Sequence, residues 1–321
     1  MTEPPPRLVA DVGGTHVRFA LVAAGSIEPQ HERTLLCADF PGPVEAVRRY
    51  LADAGCPVVH EAAFDVATGI TGDFVRLTNG PWGFSIEATR RALALRRFEV
   101  INDFTALALG VPLLKDTEKQ QIGAGAPVPG AAIGVIGAGT GLGVSGLLPH
   151  GRRWLAIQGE GGHTAFSPMS EREDAVLRVL RRRFGEHVST ERLVSGPGLL
   201  NLYCALCELD GARPAFADPA QITRQALGGG EARCVQTLEM FCAMLGTAAA
   251  NLAVTLGARG GLYIGGGIVP KLGDYFGRSP FRARFECKGR FSAYLRAIPT
   301  YVILAQTLAL RGLASVFDGG E

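Results

Sequence analysis

Asp11 stands at the end of an apolar run, just ahead of Gly13, Gly14 and Thr15. A carboxylate there could hold a magnesium ion through water, beside phosphates reached by backbone N–H groups that glycine leaves uncovered. Taken alone, an Asp before glycines is also ordinary turn chemistry. The pattern returns in Gly137-Ala138-Gly139-Thr140-Gly141-Leu142-Gly143, again between two strand-like runs. A third glycine turn closes Gly261-Leu262-Tyr263-Ile264-Gly265-Gly266-Gly267. One phosphate loop is common, whereas two hairpin loops with a third turn point to parts of a single nucleotide site.

Other side chains suit a hydroxylated substrate. Asn102-Asp103 follows a strand-like run and opens a helix. Asp103 could accept a proton from a substrate hydroxyl while Asn102 hydrogen-bonds the substrate. The same Asp could instead cap the helix, and one carboxylate cannot easily fill both roles. Glu160 and His163, three apart in a glycine-flanked turn, offer groups of the kind that clamp polyol hydroxyls; further ligands for a metal are not at hand. Glu191 fits a sugar contact or a first-turn helix glutamate equally well.

Several motifs carry no chemistry. Gly141, Gly143 and Gly146 match a dinucleotide fingerprint, but a strand follows them rather than a helix. No Walker-type phosphate loop occurs, so phosphates must be held by backbone amides and metal. Cys204 and Cys207 are spaced as a helix face, and no second pair follows at zinc-finger spacing.

The elements that must position these groups read as follows. Leu8–Val12 and the run containing Val17, Phe19 and Leu21 form a hairpin around Gly13-Gly14. Strands are expected at 62–68, 75–78 and 98–101, and a helix at 86–95 capped by Ser85. A helix from Asp103 ends near Val111-Pro112. A second hairpin joins 131–136 to 144–148. Helices follow: one opened by the capping box Ser170-Glu171-Arg172-Glu173, then 197–208, 219–226 capped by Asp218, and 232–256. Strands at 261–264 and 301–304 and an apolar helix at 307–316 complete the chain. A glycine-turn hairpin opening each half suggests two related α/β units facing one another.

Composition narrows the class. At 321 residues two domains with a cleft between them are expected. A formal charge of +2 is too mild for a nucleic-acid surface. The charge-free stretch Met240–Ala258 contains Gly246, Asn251 and Gly257 among small residues and reads as a buried core helix, not a membrane span. Seven cysteines, odd in number and mostly in apolar patterns, favour reduced, buried thiols. The opening Met1-Thr2-Glu3-Pro4-Pro5-Pro6 lacks a basic or apolar leader pattern, so a cytoplasmic location is expected.

Together these segments resemble the bacterial glucokinase family, of the hexokinase, actin and Hsp70 ATPase superfamily. Ala10–Thr15 looks like its first phosphate loop, Gly137–Gly143 its second, and Gly261–Gly267 its adenosine segment. The likeness extends to Ile101-Asn102-Asp103-Phe104, Gly159-Glu160-Gly161-Gly162-His163 and Glu191-Arg192-Leu193-Val194-Ser195-Gly196. It implies an α/β actin-like ATPase (ribonuclease H-like) fold, with two α/β domains flanking a cleft. A small domain would comprise residues 1–112 and 302–321, and a large one 113–301. It also implies ATP and magnesium, glucose as substrate, homodimers, a sugar site of Asn102, Asp103, Glu160, His163 and Glu191, and Asp103 as catalytic base. In a sister group of repressors and kinases a cysteine-rich zinc motif follows the histidine. Here Thr164-Ala165-Phe166-Ser167-Pro168 follows His163, so zinc is not expected.

The expected reaction is transfer of the γ-phosphoryl group of Mg-ATP to the glucose 6-hydroxyl, with domain closure around sugar excluding water. Rival readings are a kinase for fructose, mannose or an N-acyl amino sugar, a sugar-sensing regulator and a polymerising ATPase. The regulator would need a DNA-binding segment ahead of Leu8, where only seven residues stand. The polymerising ATPase would lack the sugar cluster.

Overall fold

Strand β1 (Arg7–Val12) is apolar on both faces, as a central strand covered on both sides must be. The computed structural model describes residues 4–319. The chain divides into two compact units. One takes the residues up to Asp116, His150–Gln158 and those from Ala305 onward; the other takes Thr117–Pro149 and Gly159–Leu304.

In the first unit β1 pairs antiparallel with β2 (His16–Val22), which pairs with β3 (Gln30–Leu36). Helix α1 (Pro43–Asp53) leads to β4 (Glu61–Val66), parallel to β1. A ribbon of β5 (Phe74–Arg76) and β6 (Gly83–Ser85) precedes α2 (Ile86–Ala92). As expected, Ser85 caps α2, its hydroxyl accepting the Ala88 N–H at 3.0 Å. The helix stops at Ala92, short of Leu95, because Ala94 turns left-handed at φ 53°. Strand β7 (Arg97–Asn102) lies parallel to β4 and runs directly into α3 (Asp103–Gly110), giving the order β3-β2-β1-β4-β7. One sheet face buries Phe19, Tyr50, Phe64 and Trp82, and the other buries Val9, Ala63 and Ala106.

The second unit opens with β8 (Lys119–Ile122), β9 (Ile133–Ala138) and β10 (Leu142–His150), and the chain continues through β11 (Arg153–Gly159). Helices α4 (Glu171–Phe184), α5 (Gly196–Leu209), α6 (Pro219–Leu227) and α7 (Ala232–Leu256) follow. Ser170 caps α4, while Glu173 reaches back to the Met169 N–H at 2.7 Å. Asp218 caps α6. The apolar stretch in α7 is core: Phe241, Cys242, Met244 and Leu245 are buried. A Cβ on Gly246 would lie 2.5 Å from the Phe281 carbonyl, so α7 and its neighbour approach closely there.

After β12 (Leu262–Gly265) come α8 (Asp274–Arg278), α9 (Phe281–Glu286), α10 (Ser292–Ala297) and β13 (Thr300–Ile303). The strands run β10-β9-β12-β13-β8, with β12 parallel to β9 and β13. Each unit therefore holds a glycine-turn hairpin followed by two parallel strands. Helix α11 (Leu308–Ser315) belongs to the first unit, where Leu310, Leu313 and Ala314 pack with Val9, Ala63 and Ala106.

The thiols differ in part from expectation. All seven cysteines are free, but Cys56 and Cys287 are exposed and Cys204 is half-buried, while Cys37, Cys207, Cys234 and Cys242 are buried. Cys56 follows the end of α1 and Cys287 ends α9, where helix termini meet the surface.

Candidate functional site

The first glycine turn is held in shape from outside. Gly13 N–H closes the hairpin on His16 O at 2.9 Å, and the Cys37 N–H bonds Thr15 O at 2.9 Å. The Cys37 thiol donates to Gly13 O at 3.6 Å. Trp82 Nε1 in turn bonds the Cys37 and Phe40 carbonyls, each at 3.0 Å. A Cβ on Gly14 would fall on the Asn79 carbonyl, so only glycine fits there. Asp11, Gly13, Gly14, Thr15, His16, Arg18 and Thr34 line a cavity of about 520 Å³.

Two residues of this turn's surroundings are not singled out by sequence. Arg18, the antiparallel partner of Asp11, donates from Nη2 to Asp11 Oδ2 at 3.0 Å. Asp65, the parallel partner of Asp11 on β4, is fully buried. Among the described residues, no N–H or O–H of another group reaches its oxygens. The Asp11 carboxylate faces it, so a hydrogen bond between the two needs a proton that one of them carries. Burial foremost, then the nearby Asp11 and Asp103 charges, pushes the Asp65 carboxyl well above the usual range. Asp103 thus belongs to the same electrostatic neighbourhood as Asp11, because β1, β4 and β7 end side by side.

At the head of α3 the cap is Asn102. Its Oδ1 accepts the Phe104 and Thr105 N–H groups at 2.9 and 3.3 Å, and its Nδ2 donates to Thr68 O at 3.4 Å. Asp103 is the first helical residue, half-buried, with Oδ1 accepting the Phe104 N–H at 2.9 Å. The N-cap is therefore Asn102, and Asp103 only shares the Phe104 N–H.

In the second unit Gly139 N–H bonds Gly141 O at 2.8 Å to close the second turn, and the Gly196 N–H that starts α5 bonds Gly139 O at 2.8 Å. The third turn lies against it. Gly265 is the parallel partner of Gly137, and Ile268 N–H bonds Ala138 O at 3.2 Å. Gly266 adopts φ +80°, and a Cβ on it would strike the Ala138 backbone. Thr140 sits at the tip of the second turn. Beyond the third turn, Gly267, Ile268, Leu199, Leu227 and Lys271, with the start of α6, line a largely apolar cavity of about 530 Å³. Sequence marked only the Gly261–Gly267 edge of it.

Glu160 and His163 flank a turn laid flat on β10: a Cβ on Gly162 would meet Leu142 O, and one on Gly161 would meet Val144 Cβ at 2.8 Å. Their side chains are 60% exposed, with Glu160 Oε2 and His163 Nε2 4.0 Å apart. The next residues pair with the Glu191 segment through Thr190 N–H to Thr164 O at 2.8 Å and the Ala165–Ser189 bridge. Glu191 Oε2 accepts the Leu142 N–H at 2.8 Å. Glu160, His163 and Glu191 are thereby gathered around the end of the second glycine turn. Among the described residues, no three His, Cys, Asp or Glu side chains are grouped to hold a metal ion.

Known proteins resemble this chain along nearly its whole length. A profile of the glucokinase family matches residues 8–319. The chain is 55% identical to a glucokinase of Chromobacterium violaceum over 97% of its own length and 88% of that protein's. It is 53% identical to the bifunctional protein glk of Burkholderia pseudomallei over 97% of its own length and 48% of that one, so it spans about half of that relative. The crystal structure of a glucokinase from an Antarctic psychrotroph superposes with TM-score 0.90 at 35% identity, covering 99% of this chain and 100% of that one. With hairpins, glycine turns and carboxylates placed as described, the chain belongs to the glucokinase family.

Proposed function

We propose that this protein is an ATP-dependent glucokinase that moves the γ-phosphoryl group of Mg-ATP to the 6-hydroxyl of glucose, giving glucose 6-phosphate and ADP. The observation that carries the reading is the division of labour at α3. Because Asn102 caps the helix, Asp103 is left in the first turn, where the helix dipole favours a negative carboxylate. Asp103 accepts the hydroxyl proton as the sugar oxygen attacks phosphorus, a contribution of ~10²–10⁴-fold for general-base catalysis.

Asn102, Glu160, His163 and Glu191 hold sugar hydroxyls in this reading. Hydrogen-bonding groups of that kind reject analogues lacking the matching hydroxyl far better than an apolar pocket does. Amides of Gly14 and Thr15 and of Thr140 and Gly141 carry phosphate charge in this reading, Gly13 and Gly139, whose N–H groups close their own turns, leave the approach uncovered, and Gly265 and Gly266 adjoin the adenosine. The apolar cavity beside Ile268 suits a base. Asp11 would hold magnesium through water; one hard carboxylate with waters and phosphates is the donor set that ion takes. When bound, the ion neutralises charge developing on the phosphates. The same reading makes the protein a cytoplasmic homodimer at the start of glycolysis.

ATP consumption measured across glucose, mannose, fructose and N-acetylglucosamine, with Asp103→Asn beside the parent, tests this. Glucose should give the highest kcat/KM and the variant should lose turnover. Lack of stimulation by any sugar overturns the kinase reading, and an unimpaired variant overturns the role of Asp103.

A further inference from the structure

Glu191 makes a bond that a sugar contact does not need. Its Oε2 accepts the N–H of Leu142, the residue that ends the second glycine turn, at 2.8 Å. The fit is tight at the adjoining residue as well: a Cβ on Gly141 would stand 2.5 Å from that same oxygen. The Glu191 backbone is itself fastened, since Ser195 Oγ donates to Glu191 O at 2.8 Å and also caps α5 by accepting the Gly198 N–H at 3.0 Å. The first residue of α5, Gly196, then bonds Gly139 at the start of the turn. Residues 139–142 are therefore gripped at one end by the head of α5 and at the other by one carboxylate.

We propose that Glu191 is a positioning residue for the nucleotide, fixing the 139–142 turn through Leu142 N–H, in addition to any contact it makes with sugar. The inference rests on the reading of that turn as a phosphate loop. A carboxylate bonded to a backbone N–H forms one of the stronger hydrogen bonds available, and it orients the peptide between Gly141 and Leu142. With the bond gone, the turn loses its defined amide directions before any sugar arrives. Glu160 and His163 make no such bond to the turn's N–H groups, so they should affect the sugar alone.

The measurement is the affinity of AMPPNP with magnesium in the complete absence of sugar, by calorimetry, with KM for ATP and for glucose determined separately. Glu191→Ala should bind the nucleotide roughly 10-fold more weakly without sugar. Glu191→Gln, whose amide oxygen can still accept from Leu142, should stay within about 2-fold of the parent while its glucose KM rises. His163→Ala should leave sugar-free nucleotide affinity unchanged. Gly141→Ala crowds the same oxygen from the residue next to Leu142, so it should weaken nucleotide binding in the parent and add little in the Glu191→Ala background. Unchanged nucleotide affinity in Glu191→Ala with only glucose KM raised, or losses from Gly141→Ala and Glu191→Ala that multiply, would overturn the proposal. If the parent itself binds no nucleotide, the kinase reading falls first and this inference with it.

Discussion

Replacing Asp65 by Asn should stabilise the first unit, and by an amount that depends on pH. The wild-type carboxyl is fully buried against Asp11, with no donor from elsewhere, and its protonated form is favoured well above the usual range. The folded state thus retains a proton that the unfolded chain releases above about pH 3.9. Where the native state binds more protons, stability falls as pH rises. The contribution is fully present below the unfolded value and is lost as pH climbs toward the folded one. Asn has no charge to acquire, and its amide can donate to the Asp11 carboxylate. The two proteins should therefore match near pH 4 and diverge by about 1.4 kcal/mol per pH unit above it, until the folded group ionises. The Asp11 and Asp103 charges add to burial in holding the proton on Asp65. Urea unfolding from pH 4 to 8 in magnesium-free buffer, followed by tryptophan fluorescence, reads this directly. Both tryptophans, Trp82 and Trp154, lie in the first unit. A stability difference that stays flat across the range would refute the reasoning.

Three further outcomes follow from the site. Asp103→Asn should lower kcat by ~10²–10⁴-fold while leaving the urea midpoint near the parent's, since Asn102 does the capping; a large midpoint shift would mean Asp103 is structural. Asn102→Ala should cost about 1 kcal/mol of stability through the lost cap, measured by the same unfolding curve, and an unchanged midpoint would contradict the cap assignment. Gly266→Ala, which forces a side chain into φ +80° and onto the Ala138 backbone, should cost about 1–3 kcal/mol and weaken AMPPNP binding. Wild-type nucleotide affinity in that variant would separate the third turn from the nucleotide.

What was legible in the sequence were features that announce themselves locally. Glycines at a turn, Ser85, Ser170 and Asp218 before helices, and the apolar stretch of α7 all act within a few residues of where they stand. Strand β3 was missed because its residues are polar and mostly exposed; its pairing with β2, not an apolar face, makes it a strand. Helices α8, α9 and α10, of five or six residues, are too short for a 3.6-residue period to show. Asp65 was invisible for a different reason. In Ala62-Ala63-Phe64-Asp65-Val66 a lone Asp reads as a solvent-facing position, but α3 and α11 cover that face, and α11 lies more than 200 residues further on.

The repeated backbone pattern explains why sequence could find the turns but not what stands behind them. In each unit the hairpin's first strand has a parallel neighbour, and the residue before that strand's end has a register partner on it. In the first unit the pair is Asp11 with Asp65; in the second it is Gly137 with Gly265. The first pair concentrates carboxyl groups beside a glycine turn, so that unit can gather positive charge there. The second pair removes both side chains, and a Cβ on Gly137 would collide with the Gly265 backbone, so the two turns can lie in contact. One topology thus serves opposite ends, charge in one unit and space in the other. The choice lies in two residues that only strand pairing brings side by side, and exchanging either pair for the other should abolish its unit's role while leaving the hairpin's backbone bonds formed.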